Sequence, residues 1–108
     1  MNPESAVALV TGGATRVGKA ISLALAARKA AVAIHYRSSD REAREVAELI
    51  IQSGGQVHCF QADLTDPAQI DSLVPSVIDQ FGKLNVLINS ASVYVQGGLE
   101  TTTRADWE

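Results

Sequence analysis

Residues 11–19 read TGGATRVGK and directly follow a short apolar run, residues 6–10, that is typical of a buried strand. From Val17 onward, apolar residues recur at helical spacing. A glycine turn between a strand and a helix presents backbone N–H groups and a helix N-terminus to an anion. This stretch therefore predicts an α/β fold with a phosphate-binding loop, although a plain strand-to-helix turn is the alternative. The predicted binding residues of the loop are Gly12, Thr15, Arg16, Val17 and Gly18.

Arg16 strengthens the phosphate-binding interpretation. A cation in the first turn of a helix opposes the helix dipole and costs a few tenths of a kcal/mol or more. A bound phosphate would reverse the sign of that interaction. Departures from local rules are expected where a residue serves function.

A Walker A loop is the competing interpretation of the same residues. Residues 13–19 have its first glycine, its four-residue spacer and its lysine, but Ala20 stands where a hydroxyl would bind magnesium. The fourth apolar run also reaches Asn89 instead of an aspartate. A nucleotide triphosphatase is therefore disfavoured. The GxGxxG spacing of the simplest dinucleotide folds is absent too.

Four apolar runs predict strands, and they begin 24, 27 and 28 residues apart, which leaves room for a crossover helix in each gap. We expect a βαβαβαβ unit, namely a Rossmann-type doubly wound parallel sheet with strand order 3-2-1-4 and helices on both faces. The predicted strands are residues 6–10, 30–36, 57–62 and 85–91.

The helix predictions rest on apolar stripes and on end signals. The first stripe is Val17, Ala20, Ile21, Ala24 and Leu25; the second is Ala43, Val46, Ala47 and Ile50; the third is Ile70, Leu73, Val74, Val77, Ile78 and Phe81. The end signals are a Ser39–Glu42 capping box and Gly54 with Gly55 for the second helix, and Asp66, Pro67 and Gly82 for the third.

Composition indicates one globular domain over residues 1–108, with 46% hydrophobic residues and a net charge of −3. The lack of basic clusters argues against nucleic acid as a partner, and the lack of a long apolar run argues against a membrane span. Cys59 is the single cysteine and is expected in the core; since it cannot pair within the chain, a reducing, cytoplasmic location is favoured. His35 and His58 have no ligand-spaced partners, so no metal is predicted.

Arg37 lies 19 residues beyond Gly18, at the end of the second predicted strand. Folds that bind NAD have an acidic residue near this place, which bonds the ribose hydroxyls. A guanidinium flanked by Tyr36 and Ser38 suits a 2′-phosphate instead, so NADP(H) is the predicted cofactor. A solvated surface arginine is the alternative. Asp40 is better explained as a first-turn helix residue.

The TGGATRVG segment resembles the TGxxxGxG loop of the short-chain dehydrogenase/reductase family, with Arg16 in place of the middle glycine. The pteridine reductase branch of that family has an arginine there. Three later segments resemble the same branch, HYRSS at residues 35–39, ADL at 62–64 and NSAS at 89–92. The resemblance covers the whole chain but less than half of a typical member, so we expect a chain truncated before the catalytic half.

The resemblance implies further site residues. Asp63, with Ala62 and Leu64, would bind the adenine, although an aspartate in a polar turn is the alternative. Asn89, Ser90 and Ala91 would lie by the cofactor ribose, where the usual family sequence is NNAG. Ser92 and Tyr94 would contact a pterin, although an isolated tyrosine in a polar loop is more often a surface aromatic. The catalytic serine, and the tyrosine and lysine of YxxxK, would all lie downstream, so no catalytic residue is assigned to this chain.

The resemblance also implies the reaction. We expect the cofactor-binding part of an NADPH-dependent oxidoreductase that transfers hydride to a C=O or C=N bond of a small molecule, plausibly a dihydropteridine, and that forms a homo-oligomer at full length. A 3-oxoacyl or carbonyl reductase of the same family is one alternative. A catalytically inert nucleotide-binding module is the other.

Overall fold

A computed structural model of the protein describes residues 6–90, and strands alternate with helices throughout them. This confirms the βαβαβαβ prediction, with strand ends that differ by one or two residues from those expected. The elements are β1 (Val7–Thr11), α1 (Arg16–Ala27), β2 (Ala31–Tyr36), α2 (Asp40–Gln52), β3 (Val57–Gln61), α3 (Pro67–Phe81) and β4 (Val86–Asn89).

The four strands form one parallel sheet in the order β3-β2-β1-β4, as predicted. Leu9 of β1 stands between Ala33 of β2 and Leu87 of β4, which gives the register of β1 with both of its neighbours. Because successive side chains of a strand point to opposite faces, a continuous apolar run predicts a sheet covered on both sides. All five residues of β1 and the first five of β2 are buried.

Two apolar clusters cover the two faces of the sheet. On one face, Val32 and Ile34 pack with residues of α1 and α2, including Val46. On the other, Leu9 packs with Leu73 and other α3 residues. The described part of the chain therefore has the helix-sheet-helix layering of a doubly wound fold.

The ends of α3 are those that the sequence signals predicted. The Asp66 carboxylate accepts a hydrogen bond from the Ala68 N–H at 3.0 Å, and Pro67 is the first helical residue. Gly82 follows the helix with a left-handed φ of 86°. Each signal acts within one turn of chain, so it needs no tertiary contact to operate.

The predicted apolar stripe of α1 is wrong in part. The helix buries Gly18, Ser22 and Ala26, whereas Val17 is 66% exposed and Ala20 and Ala24 are exposed. Small residues face inward because the helix starts against the preceding loop: a Cβ on Gly18 would lie 1.9 Å from the Gly12 carbonyl oxygen. The close approach of this helix face to the loop therefore requires small side chains, whether or not they are hydrophobic.

Three smaller expectations also need correction. In the described chain the Ser39 side chain makes no capping bond to α2, because its backbone (φ −88°, ψ 52°) is not in the extended region that capping residues adopt. Ile78 is 43% exposed on the outer side of α3. Cys59 is only half-buried, since β3 is the outer strand on its side of the described sheet; burial nonetheless raises the pKa of its thiol.

Candidate functional site

A cleft of about 590 Å³ opens where the carboxyl ends of the strands meet, the usual ligand position in an open parallel sheet. Its walls come from the loop after β1, the end of β2, the segment after β3 and the residue after β4. The lining residues are Gly12, Ala14, Thr15, Arg16, Val17, Gly18, His35, Tyr36, Arg37, Ser38, Ser39, Asp63, Leu64, Thr65 and Ser90.

Most of the predicted cofactor residues within residues 6–90 line this cleft. Two do not: Ala62 is buried behind the wall, and Asn89 faces β1. The Asn89 Oδ1 accepts a hydrogen bond from the Thr11 hydroxyl at 2.9 Å, so its side chain ties β4 to β1. Ala91, Ser92 and Tyr94 lie outside the described residues.

The loop after β1 is held so that its backbone faces the cleft. Gly12 has a left-handed φ of 63°, and the Gly13 N–H donates to the His35 carbonyl at 3.1 Å. The Ser22 hydroxyl donates to the Gly13 carbonyl at 3.0 Å from inside α1. Backbone contacts of this kind leave no room for side chains at the turn, which explains the glycines in physical terms.

Arg16 adopts a left-handed φ of 52° at the first position of α1. The family loop that this segment resembles has a glycine here, and a left-handed backbone costs a non-glycine residue roughly 1–2 kcal/mol. The arginine side chain is exposed beside the cleft. Thr15, the N-cap, makes no side-chain capping bond within the described structure, so no side chain from this residue covers the helix N–H groups.

Arg37, after β2, and Asp63, after β3, form an ion pair on the side of the cleft that lies opposite the glycine loop. The guanidinium Nη2 lies 3.5 Å from the Asp63 Oδ2, and the two side chains are 57% and 31% exposed. Hydrogen bonds from the Thr65 hydroxyl and N–H hold the pKa of the Asp63 carboxyl below its usual value, and Arg37 adds to the effect. The two residues that the sequence assigned to different parts of a nucleotide therefore form one pair.

Asp40 is the first residue of α2, as expected, and is already engaged. Its carboxylate pairs with Arg44 and accepts a hydrogen bond from the Tyr36 hydroxyl at 3.1 Å. The Arg44 bond, and then the Tyr36 bond, lower the pKa of Asp40. Burial, and then the bond to Asp40, raise the pKa of Tyr36. This carboxylate is therefore not placed as an open acceptor for a ribose.

The last residue of the cleft wall comes from the end of β4. The Ser90 N–H donates to the Thr11 hydroxyl at 3.0 Å, and the Ser90 hydroxyl donates to the Thr11 carbonyl. These bonds fix Ser90 beside the glycine loop. In addition, a Cβ on Gly18 would come within 2.9 Å of the Ser90 hydroxyl, so the loop, α1 and β4 converge here.

Sequence reasoning missed four lining residues, Ala14, His35, Ser39 and Thr65. His35 is the most informative, since it is only 3% exposed and both ring nitrogens have backbone partners. Nδ1 lies 3.0 Å from the Gly12 nitrogen and Nε2 lies 2.8 Å from the Ala62 oxygen. A single polar residue near the end of an apolar strand was the available signal.

Two negative findings concern the described residues alone. Across residues 6–90, no group of three or more His, Cys, Asp or Glu side chains could hold a metal ion. None of the helices described there is long and apolar enough to cross a membrane.

A parallel sheet of this order, with a glycine loop after β1 and a cleft at the carboxyl ends of the strands, defines a dinucleotide-binding α/β protein of the Rossmann type. The family model for short chain dehydrogenases matches residues 6–108. The chain belongs to the short-chain dehydrogenase/reductase family.

Individual relatives agree with this assignment. The chain is 40% identical over 93 residues to the short-chain dehydrogenase/reductase homolog YusS of Bacillus subtilis, covering 86% of this chain and 85% of that protein. It is 43% identical over 101 residues to the hydroxynaphthalene reductase arp2 of Aspergillus fumigatus, covering 94% of this chain but 37% of that protein.

Among solved structures, the chain is similar to FolM alternative dihydrofolate reductase 1 from Brucella canis, complexed with NADP. The TM-score is 0.80 at 38% sequence identity, and the match covers 88% of this chain and 38% of that one. The chain thus spans well under half of this structure and of the fungal reductase, but most of YusS.

Proposed function

We propose that residues 1–108 are the NADP(H)-binding part of a short-chain reductase and that Arg37 binds the 2′-phosphate of the cofactor. The observation that carries the proposal is the position of Arg37 in the cleft, directly after β2, where an NAD-binding fold has its ribose acid. A guanidinium offers a phosphate two parallel charge-assisted hydrogen bonds. Asp40, the nearest acid in sequence, is occupied by Tyr36 and Arg44.

The rest of the cleft supplies complementary binding groups in this proposal. The uncapped start of α1 and Arg16 would bind the pyrophosphate, and Asp63 with Leu64 would contact the adenine. The complex of the Brucella FolM protein with NADP supports the same choice of cofactor. When bound, NADPH supplies the hydride, while the residues of this chain bind and orient its adenosine half.

Calorimetric titration with NADP⁺ and NAD⁺ tests the cofactor assignment. Arg37→Asp should weaken NADP⁺ binding by about tenfold or more, because a charge-assisted bond contributes ~1.5–3 kcal/mol, and should change NAD⁺ binding little. Arg41→Asp is the matched control, since Arg41 lies on α2, is solvent-exposed and does not line the cleft. Equal affinity of the unmodified protein for the two cofactors would contradict the proposal.

We further propose a dihydropteridine as the substrate. The support is the NSAS segment, the arginine at position 16 and the 38% identity to FolM, which is described as a dihydrofolate reductase. Ser92 and Tyr94 would contact the pterin ring. In the complete protein, Tyr94→Ala should raise the Michaelis constant for dihydrobiopterin several-fold and leave that for NADPH unchanged, because only an aromatic contact to the substrate is lost.

Reduction of a carbonyl or 3-oxoacyl substrate is the second candidate, and the 43% identity to a hydroxynaphthalene reductase favours it. Assays of the complete protein with dihydrobiopterin, a simple ketone and an oxoacyl thioester separate the two. Binding of NADPH without turnover of any of them would favour the inert module. The 108-residue chain alone should reduce none, because neither of its tyrosines, Tyr36 and Tyr94, has a lysine four residues later.

We also propose that the complete protein acts on its small-molecule substrate in the cytoplasm as a homo-oligomer. The single cysteine supports a reducing compartment. Light scattering on the purified complete protein tests the oligomeric state, and a monomer would contradict it.

A further inference from the structure

The interior of β2 contains one residue that its apolar pattern does not explain. Residues 31–34 read AVAI and are buried, and His35 continues the run with 3% exposure. An imidazole in such a place is costly unless both ring nitrogens have hydrogen-bond partners. In this strand they do, and the partners come from two different loops.

The two partners fix the protonation state of His35. The Ala62 carbonyl can only accept, so Nε2, 2.8 Å away, donates the hydrogen. The Gly12 N–H can only donate, so Nδ1, 3.0 Å away, is the bare acceptor. Only the neutral ring with hydrogen on Nε2 satisfies both bonds.

The imidazole therefore spans the back of the cleft. On one side it holds Gly12, whose left-handed turn begins the glycine loop. On the other it holds Ala62, which directly precedes Asp63 and Leu64 on the opposite wall. The main chain of His35 adds a third link, because its carbonyl accepts from the Gly13 N–H at 3.1 Å.

We propose that His35 is a positioning residue for the nucleotide: through Gly12 and Ala62 its ring sets the separation of the two walls between which the adenosine and pyrophosphate lie. The inference rests on the proposed function only for the identity of the ligand. It also assigns the Gly12 amide to His35, which leaves phosphate contacts to amides further along the loop.

Two substitutions separate the bonds. In His35→Phe a ring of similar shape remains but both bonds are lost. In His35→Asn the amide oxygen takes the place of Nδ1, so the Gly12 bond is kept while the Ala62 carbonyl is out of reach. Ile34→Val is the control for a simple loss of packing, because Ile34 is the buried neighbour on β2 that does not line the cleft. His58→Phe is the control for a histidine outside the cleft.

The measurements are hydrogen exchange at the Gly12 amide without cofactor and calorimetric titration with NADP⁺, on the complete protein well below its melting temperature. We expect Gly12 to be protected in the unmodified protein and in His35→Asn, and to exchange at least tenfold faster in His35→Phe. We expect NADP⁺ affinity to fall about tenfold or more in His35→Phe, less in His35→Asn, and by under twofold in both controls.

Each outcome decides the question. A folded His35→Phe variant with NADP⁺ affinity within twofold of the unmodified protein overturns the proposal, as does an equal loss in Ile34→Val. If His35→Phe does not fold, His35→Asn and the ¹⁵N spectrum of the unmodified imidazole decide, and hydrogen on Nδ1 overturns it. Failure of the unmodified protein to bind NADP⁺ refutes the proposed function, whereas Gly12 exchange still tests the role of His35 in holding the walls.

Discussion

The two walls of the cleft are built from different parts of the chain. The wall formed by the glycine loop consists of main chain, which is held by hydrogen bonds to buried side chains such as His35 and Ser22. The opposite wall presents side chains, chiefly those of the exposed Arg37 and the partly exposed Asp63. Main chain can bind what all dinucleotides share, the pyrophosphate, whereas side chains can distinguish their ends. Changes in the first wall should therefore affect folding and every cofactor, and changes in the second should affect cofactor choice.

The largest effect is expected from Gly18→Ala in the glycine-loop wall. The added Cβ would lie 1.9 Å from the Gly12 oxygen and 2.7 Å from the Gly12 carbon, so main chain must move. We expect a loss of about 3 kcal/mol or more in the free energy of unfolding, measured by urea denaturation.

Gly54→Ala is the control, because its Cβ would meet no atom within 4 Å although φ is +88°. Its cost should be only about 1 kcal/mol. A Gly18→Ala variant as stable as Gly54→Ala would show that the main chain of the loop can move to accommodate a Cβ at little cost.

The second prediction is a pH dependence that originates in the same wall. Burial lowers the pKa of His35 from 6.5, and the bond to Ala62 opposes the shift. Since the unfolded chain then binds the proton more readily, the stabilisation is complete above pH 6.5 and is lost as the pH falls through the lowered pKa. Urea denaturation between pH 5 and 8 should show this slope. His35→Phe should remove it and His58→Phe should not.

Other charged groups around His35 must be separated from this effect. The titratable and charged side chains on the neighbouring elements are Tyr36 and Arg37, His58 and Cys59 on β3, Asp63 after β3, and Arg16 and Lys19 at the start of α1. The lowered pKa of Asp63 places its titration below that of a free carboxyl. A slope that survives in His35→Phe would assign the dependence to another of these groups.

In the opposite wall, Asp63→Asn should change cofactor choice. The carboxylate lies 3.5 Å from the guanidinium of Arg37 and competes with a 2′-phosphate for it. Since solvent reaches both side chains of the pair, its removal should raise the ratio of NADP⁺ to NAD⁺ affinity by only roughly threefold. Glu45→Gln, which breaks the Arg41 pair outside the cleft, is the control for titrations of both cofactors. A fall in the ratio would mean that Asp63 assists phosphate binding.

The smallest predicted change in stability concerns two left-handed residues that are not glycine. Arg16 (φ 52°) lies in the cleft wall and Lys29 (φ 73°) lies in the turn after α1. Replacing either with glycine should stabilise the fold by about 0.5–1 kcal/mol, as the relief of strain exceeds the added chain entropy. Only Arg16→Gly should also weaken NADP⁺ binding. Equal binding by both variants would show that the arginine does not contact the cofactor.

Local signals predicted much of the fold because they act within a few residues. Asp66 and Gly82 bound α3 as expected, and the turn after β1 follows from its glycines. The face of α1 could not be predicted in the same way. The burial of Ser22 depends on how closely the helix approaches Gly12 and Gly13. The spacing of hydrophobic residues along the sequence does not predict that distance of approach.

In the site, too, sequence signals predicted individual residues but not the contacts between them. Arg37 could be selected from its position after a strand and Asp63 from the family resemblance, but their pairing depends on the alignment of β2 with β3. From the sequence, His35 was considered only as a metal ligand, for which it has no partner at ligand spacing. The ring of His35 bonds to residues that lie 23 and 27 positions away in the sequence. Rules based on neighbouring residues cannot predict partners at such separations.

The strand order also bears on the sequence of events during synthesis. β1 is made first, yet one of its edges pairs with β4, and the Val7 N–H bonds to the Asn85 side chain 78 residues later. At about 5–20 residues per second, that edge waits roughly 4–16 s for its neighbour on the ribosome. The links from His35 to Gly12 and Ala62 need only the first three strands. The part of the cleft around Gly12, His35 and Ala62 can therefore form during translation. The edge of β1 that pairs with β4 still requires protection from other chains at that stage.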